Sequence, residues 1–394
     1  MINLSIFSSC VPKQKRLLSP VLGFLLVVVP GIAQAQFSYT TNSDNTLTIT
    51  GYSGPAGAVN VPGSINGSTV STIGELAFGT DIPFHQTTSL TSITIPASVT
   101  SIKTEAFCEC AGLTNVTLAA GLSSIEDEAF YDCTSLTSVT IPSTVTNLGE
   151  AVFDACTRLT NIQIPAGVPN IGIQTFEGCE SLTNVALTNG LENIDQFAFQ
   201  GSAVTSFAFP DTVTNIGYSA FSYCENLTNL TIPGTVTSIG DSTFYGCQGL
   251  MNVTFAKGIT NIAYDMFDSC INLTGVFFQG NAPGITGDPQ DGPVFDTNVT
   301  VYYLSGTSGW SNTYQGIPAV EWNPAVAPAT MHNGQFGVTV TGNTNIPIQL
   351  QACTNLNSPV WTPLTNVSLT NGSFYYSEPV QSNAPSRFYR VVFP

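Results

Sequence analysis

Positive charge is what this sequence has least of. Among 394 residues eight are Lys or Arg and two are His, against 25 Asp or Glu. Three of the eight, Lys13, Lys15 and Arg16, precede an apolar segment, so Lys103, Arg158, Lys257, Arg387 and Arg390 are the basic residues of the remainder. A surface this acidic repels phosphate backbones and anionic lipid headgroups, which excludes nucleic acid as a partner. The two histidines, His85 and His332, match no metal-ligand spacing, so no metal and no cofactor is expected. Long apolar runs are scarce as well. The run at residues 17–29 is broken by Pro20 and followed by "AQA" at Ala33, Gln34 and Ala35. Basic, apolar, then small residues is the order of a secretory signal peptide cleaved after Ala35, and the run is short for a membrane span. A mature chain without a transmembrane segment, secreted or displayed at the cell surface, is expected. Also missing are a singular Ser/His/Asp, Cys/His or paired-carboxylate constellation and a glycine loop to cradle phosphate, so the chain is not expected to be an enzyme.

What is abundant is repetition. The composition is 43% hydrophobic and 8% charged, that of a packed β-rich chain rather than a disordered one. Phenylalanine recurs at Phe78, Phe107, Phe130, Phe153, Phe176, Phe199, Phe221, Phe244 and Phe267. The step is 23 residues, except 29 after Phe78 and 22 after Phe199. Three residues after the phenylalanine stand Cys110, Cys133, Cys156, Cys179, Cys224, Cys247 and Cys270, with Ser202 in the one coil that departs. A residue type present in every coil is a packing solution, so these two series are read as structural ladders and the thiols as small buried apolar groups. A bridge between Cys108 and Cys110 stays open.

Within "LTSVTIPSTVTNLGEAVFDAC", Val139 and Ile141 alternate with Ser138 and Thr140, the period of a strand with one buried face. Pro142 ends it, a short extended piece carries Val145 and Leu148, and "EAVFDAC" suits one or two helical or 3₁₀ turns. Ordering one such coil alone costs about 1.5 kcal/mol per residue, more than its own burial returns, so the coils must stack. Stacking in register lines up Val116, Val139, Ile162, Val185, Phe207, Leu230 and Val253. The expected fold is a mainly β repeat solenoid of parallel strands with short helical turns. Its solvent face presents Ser92, Thr94, Asn115, Thr117, Ser138, Thr140, Asn161, Gln163, Asn229, Thr231, Asn252 and Thr254, all small or amide side chains without the aromatic or Arg anchors of tight interfaces.

The repeat resembles the BspA-like leucine-rich repeats over about residues 60–280. Departures are Ser202 for Cys, Ala119, Thr188 and Ala256 where proline is usual, and the insertion before Leu90. The resemblance implies a parallel-sheet solenoid with short helical turns and a place among secreted or surface-exposed proteins, some of them adhesins. It therefore implies contact with an extracellular protein or glycan through the strand face.

Acids flank the phenylalanines, among them Asp127, Glu128, Asp132, Glu150, Asp154, Asp241, Asp265 and Asp268, and read as a solvated belt. Asp288, Asp291 and Asp296 share a Gly/Pro-rich stretch without the spacing of a calcium loop. Residues 36–72 read as an N-terminal cap hairpin and first coil, 73–283 as the repeats, and 284–323 as a C-terminal cap closed by Trp310 and Trp322. After a short "PAVAPAT" linker, residues 324–394 lose the period and alternate over five or six short strands, a small β-sandwich with Trp361, Phe388 and Tyr389 in its core. That end resembles the C-terminal module of large secreted bacterial proteins. Two functions follow from these readings: a binding or adhesion protein, or a spacer attached through the C-terminal domain.

Overall fold

The computed structural model describes residues 36–79, 90–287, 293–295, 298–332, 335–379 and 386–394. The signal segment, the insertion around His85 and the three aspartates weighed for calcium lie outside the described residues. The chain forms two compact units that divide between Leu159 and Thr160. Among the described residues every regular element is a β-strand.

The first unit opens with an antiparallel hairpin, Phe37–Thr41 against Leu47–Tyr52, turned at Asn45 with φ 64°. Leu47–Tyr52 then starts a parallel wall continued by Ser68–Ile73, Ser101–Ile102, Ser124–Ile125 and Asn147–Leu148. A second wall runs through Gly57–Asn60, Leu90–Ile95, Asn115–Leu118 and Ser138–Val139. Its register, Ile93 to Val116 to Val139, puts the β-branched side chains inward at 1%, 4% and 6% exposure, which is what the alternation in the sequence demands.

The third side of each coil corrects an expectation, since the anticipated helical turn is absent. Glu105 and Glu109, Glu128 and Asp132, and Ala151 and Ala155 all have φ between 50° and 58°, two left-handed residues placed symmetrically about each phenylalanine. No helix survives such a pair. The reversal sends alternate N–H groups to the next coil: Glu105 to the Asp127 carbonyl (3.0 Å), Phe107 to Ala129 (2.9 Å) and Glu109 to Tyr131 (2.7 Å). The intervening N–H groups of Cys108 and Cys110 close turns onto Glu105 and Phe107. A helix would keep these donors for itself, whereas this turn makes a third ladder between coils. Inside, the rings of Phe78, Phe107, Phe130 and Phe153 stack at 5.0–5.5 Å, and Phe37 and Tyr52 of the hairpin close over Phe78.

The second unit repeats this plan. Phe176, Phe199, Phe221, Phe244 and Phe267 stack at 5.2–5.6 Å, and Phe295 adds a further ring at 5.7 Å that the 23-residue period did not point to. Left-handed pairs again flank the rings, as at Ser219 and Tyr223 or Ser242 and Gly246. The strand wall is not the continuous ladder the register argument proposed. Asn184–Ala186 and Ser206–Ala208 belong to different sheets, and the step between them is the 22-residue coil. The missing residue falls between Ser202 and Val204, at the strand's entry, and Phe207 fills the space against Phe199, Phe209 and Phe221. From there the wall is regular: Ser206–Ala208, Asn229–Ile232, Asn252–Phe255, Gly275–Phe278, Thr300–Leu304 and Ile317–Trp322. The expected cap is thus two further rungs of the same sheet. Trp310 stacks on Tyr303 at 5.0 Å and packs on Phe278 and Tyr314, closing the interior.

Residues beyond Trp322 form two antiparallel sheets. One joins Ala325–Val326, Gln335–Thr341, Thr330–His332 and Ser373–Pro379, and the other joins Thr362–Ser368, Pro347–Cys353 and Phe388–Val392. Within the stretch anticipated as a linker, Ala325 and Val326 form a short strand, with Ala325 opposite Thr341. The core centres on Val338, Val340, Ile346, Ile348, Leu350 and Leu369, and of the aromatics expected there Tyr389 packs against it, partly buried. Trp361 is half-buried beneath the Arg390 guanidinium at 4.4 Å, and Phe388 and Tyr389 are half-buried at the sheet edge. The Tyr389 hydroxyl donates to Glu378 (2.6 Å), which also accepts two bonds from Arg387.

Candidate binding surface

In the first unit Thr94, Asn115, Thr117, Ser138 and Thr140 are exposed, and Ser92 is half-buried. Register pairs Ser92 with Asn115 and Asn115 with Ser138 in one column, and Thr94 with Thr117 in the other. The strands' backbone groups are consumed by their neighbours, so this face offers side-chain hydroxyls and amides. A partner meets a flat polar lattice here, with no charged group on the strand positions themselves.

The second unit carries the same two columns but does not leave them open throughout. Asn161, Gln163, Asn229 and Thr231 are exposed, Asn252 and Thr254 are half-buried, and the next rung, Gly275 and Phe277, is buried. What covers it is the C-terminal module. Phe277 stacks on Phe393 at 4.7 Å and packs on Trp322 at 5.0 Å, and both belong with the module's aliphatic core. Trp322 therefore seals this junction, its Nε1–H donating to the Pro347 carbonyl (2.8 Å), instead of closing the solenoid interior. Gly275 is required by the seat: a Cβ there would stand 2.7 Å from Asn252 Oδ1 and 3.3 Å from the Phe393 ring. The signal lay in "GVFF", where glycine and phenylalanine replace the Asn and Thr of the two outward columns.

Where the module stops, the face becomes a groove of about 680 Å³. Ser206, Asn229, Thr231, Asn252 and Thr254 line its floor, and Phe209, Asp211 and Phe393 line its sides. Asn252 Nδ2 donates to Asn229 Oδ1 at 3.2 Å across adjacent rungs.

The described cysteines are buried, with free thiols at Cys110, Cys133, Cys156, Cys179, Cys224, Cys247 and Cys270. Cys110 is therefore not bridged to Cys108. Each thiol does more than fill space. Cys110 donates to the Phe78 carbonyl (3.2 Å), Cys133 to Phe107 (3.3 Å), Cys156 to Phe130 (3.2 Å), Cys224 to Phe199, Cys247 to Phe221 and Cys270 to Phe244 (3.1 Å each). An S–H here adds a second hydrogen bond to a buried carbonyl of the preceding coil, such as Phe107 or Phe221, which already accepts an N–H of its own turn, and an aliphatic side chain cannot donate it. Burial pushes the Cys110 and Cys224 thiols up to about 12 and raises those of Cys133, Cys156 and Cys247 well above the ordinary range. The thiolate needed for nucleophilic or metal chemistry is thus disfavoured. Among the described residues no group of three or more His, Cys, Asp or Glu side chains could hold a metal ion.

The turn wall differs between the units. In the first it carries Glu105, Glu109, Asp127, Glu128, Asp132, Glu150 and Asp154. Burial together with Glu105 and Asp127 raises the Glu128 carboxyl, and burial with Glu109 raises that of Asp132. In the second unit aromatics interrupt the acids: Phe197 meets Tyr218 edge-on at 5.3 Å and Tyr223 meets Tyr245 at 5.4 Å, with Tyr218 and Tyr223 44% and 46% exposed.

Stacked 23-residue coils of this kind match the BspA type leucine-rich repeat region in six copies, over residues 80–202 and 169–286, more than half of the sequence. The chain belongs to the BspA-type leucine-rich repeat family. Among solved structures it is similar to a leucine-rich repeat protein of T. pallidum at 29% identity, covering 56% of this chain and 90% of that one with a TM-score of 0.44. A leucine-rich cell surface protein of Faecalibacterium prausnitzii is 23% identical over 68% of this chain and 97% of its own, with a TM-score of 0.45. A leucine-rich repeat protein of Bacteroides ovatus is 19% identical over 76% and 100%, with a TM-score of 0.39. No curated protein matches. No helix among the described residues is long and apolar enough to cross a membrane.

Proposed function

We propose that this BspA-type chain is a non-enzymatic binding or adhesion protein, exported by its N-terminal signal and acting outside the cell or on its surface. It contacts an extracellular protein or glycan through the strand face. The observation that carries this reading is the pair of outward columns. Thr94, Asn115, Thr117 and Thr140 in the first unit, and Asn161, Gln163, Asn229 and Thr231 in the second, are exposed and uncharged. Contacts of that kind are individually weak and act by repetition, because a second contact forms at high effective concentration once the first has formed.

The test is progressive substitution. Thr117→Lys, Thr140→Lys, Gln163→Lys and Thr231→Lys, made singly and then together, are assayed for retention of the chain on immobilised extracellular-matrix proteins and glycans. Retention is expected to fall stepwise with each lysine. Unchanged retention of the quadruple variant moves the function off the strand face, and favours the spacer reading in which the C-terminal module does the attaching.

A further inference from the structure

We propose that the groove beside Phe393 is a subsite for a neutral oligosaccharide, an inference that rests on the strand face being the binding surface. The floor is two outward columns, Ser206, Asn229 and Asn252 in one and Ala208, Thr231 and Thr254 in the other, held in register by the parallel wall. From the first rung to the third is two strand steps, about 10 Å. That length suits two or three sugar rings, and about 680 Å³ lies within the range of small-molecule sites.

The lining selects the chemistry. Asp211 is the one charged side chain among the described lining residues, so nothing there neutralises a carboxylate, sulfate or phosphate, and a single acid is too little for a polybasic partner. The Asn252 to Asn229 bond uses one donor and one acceptor of the two amides, whose further donors and acceptors, with the Thr231 and Thr254 hydroxyls, suit a ligand rich in hydroxyls. The backbone of the central rung is not on offer, since Asn229–Ile232 pair with Ser206–Ala208 on one side and Asn252–Phe255 on the other, so a peptide cannot add there as a strand. Phe209 and Phe393 supply apolar ring surface. A pyranose has hydroxyls around its edge and C–H groups on its faces, and needs both kinds of partner. Phe393 is held for this by Phe277 and Tyr302, at 4.7 and 5.5 Å, so the C-terminal module contributes a wall of the site as well as covering the rung beyond it.

The experiment titrates the chain from residue 36 to 394 with soluble hexasaccharides of glucose, mannose and N-acetylglucosamine, and with a heparin-derived hexasaccharide as the anionic comparator. At least one neutral hexasaccharide is expected to bind and the heparin fragment is not. Asn252→Ala and Phe393→Leu should each weaken that binding about tenfold or more. Asn252→Ala leaves the Phe393 contacts in place and so answers if the Phe393 variant loosens the module. Absence of neutral binding at about 10 mM, preference for heparin, or a bound hexasaccharide indifferent to both substitutions overturns the subsite. If the four-lysine variant still loses its matrix partners in that case, the strand-face reading stands and this inference alone falls. Matrix proteins lost through Asn252→Ala with no sugar bound would assign the groove to protein.

Discussion

Two turn walls with the same backbone carry different surfaces. Around Phe130 the outward positions are Asp127, Glu128, Tyr131 and Asp132. Around Phe221 the outward positions are Tyr218 and Tyr223, with Ser219 and Ser222 buried between them. Both turns place left-handed residues two before and two after the ring, and both send the phenylalanine N–H to the next coil at 2.9 Å. The inner chemistry is equally constant, with the Cys133 and Cys247 thiols bonded to phenylalanine carbonyls at 3.3 and 3.1 Å. The comparison teaches that the repeat constrains what faces a neighbouring coil and leaves free what faces solvent. One unit has used that freedom for carboxylates and the other for exposed tyrosines.

If the interiors are equivalent, the same large deletion must cost the same in both. Phe130→Ala and Phe221→Ala each remove a fully buried ring stacked between two others, and each should cost on the order of 3–5 kcal/mol. Stacked repeats can open coil by coil, so hydrogen exchange of the surrounding amides is a better measure than one melting temperature. Exchange should accelerate in the mutated coil and its neighbours. A much milder loss at Phe221 would mean that Phe207 and Phe209, which pack on it edge-on, make the second interior a different core.

The same logic explains what was legible in the sequence. The phenylalanine and cysteine ladders and the parallel strands could be read because each is set by residues that recur from coil to coil. The turn could not be read as easily, because Glu128, Ala151 and Ser242 adopt positive φ without being glycine. The available signal was Gly178, Gly201 and Gly246, which stand two residues after the ring, where other coils have Glu109, Asp132 or Tyr223. The second role of the cysteines was hidden for another reason: a thiol reads as a small apolar group until the carbonyl above it is located. The covered end of the strand face was hinted at by Gly275 and Phe277, but its cover, Phe393, lies more than a hundred residues away and shares no period with them.

A smaller effect probes the thiol ladder. Cys133→Ala in the first unit and Cys247→Ala in the second each leave a buried phenylalanine carbonyl without its S–H donor and remove one heavy atom from a close-packed site. Each should cost roughly 1–2 kcal/mol, and the two should agree because their geometries do. Serine is expected to be tolerated better than alanine, since Ser202 already occupies this position and sits 3.4 Å from the Cys224 sulfur. Titration of sulfhydryls in the native chain should find the ladder unreactive, with release on denaturation without reductant. Release of fewer than half of them would point to bridges in place of thiols.

The smallest effect separates the outer walls. Glu128 and Asp132 bind protons more tightly in the folded chain than in the unfolded one, because both are half-buried and close to other carboxylates. Between the unfolded value near 4 and the raised folded value the native state holds more protons, so this contribution is fully present below that window and is lost as pH rises through it. The first unit should therefore be more protected against exchange near pH 5 than near pH 8, once the intrinsic rates are corrected. Glu128→Gln should flatten the profile and stabilise the neutral-pH protein by roughly a few tenths of a kcal/mol after solvent screening. In the second unit burial raises Glu177 and Asp195, with no carboxylate neighbour adding to it, and its profile should be shallower. Two opposing groups bound the test from below: Glu378, held down mainly by its bonds from Arg387 and Tyr389 against the opposing effect of burial, and Asp44, held down by Thr46, lose stability as pH falls toward their own lowered values. Equal slopes in the two units would show that crowding among the carboxylates contributes nothing, and that the acidic wall differs from the aromatic one in what it can contact and not in how it folds.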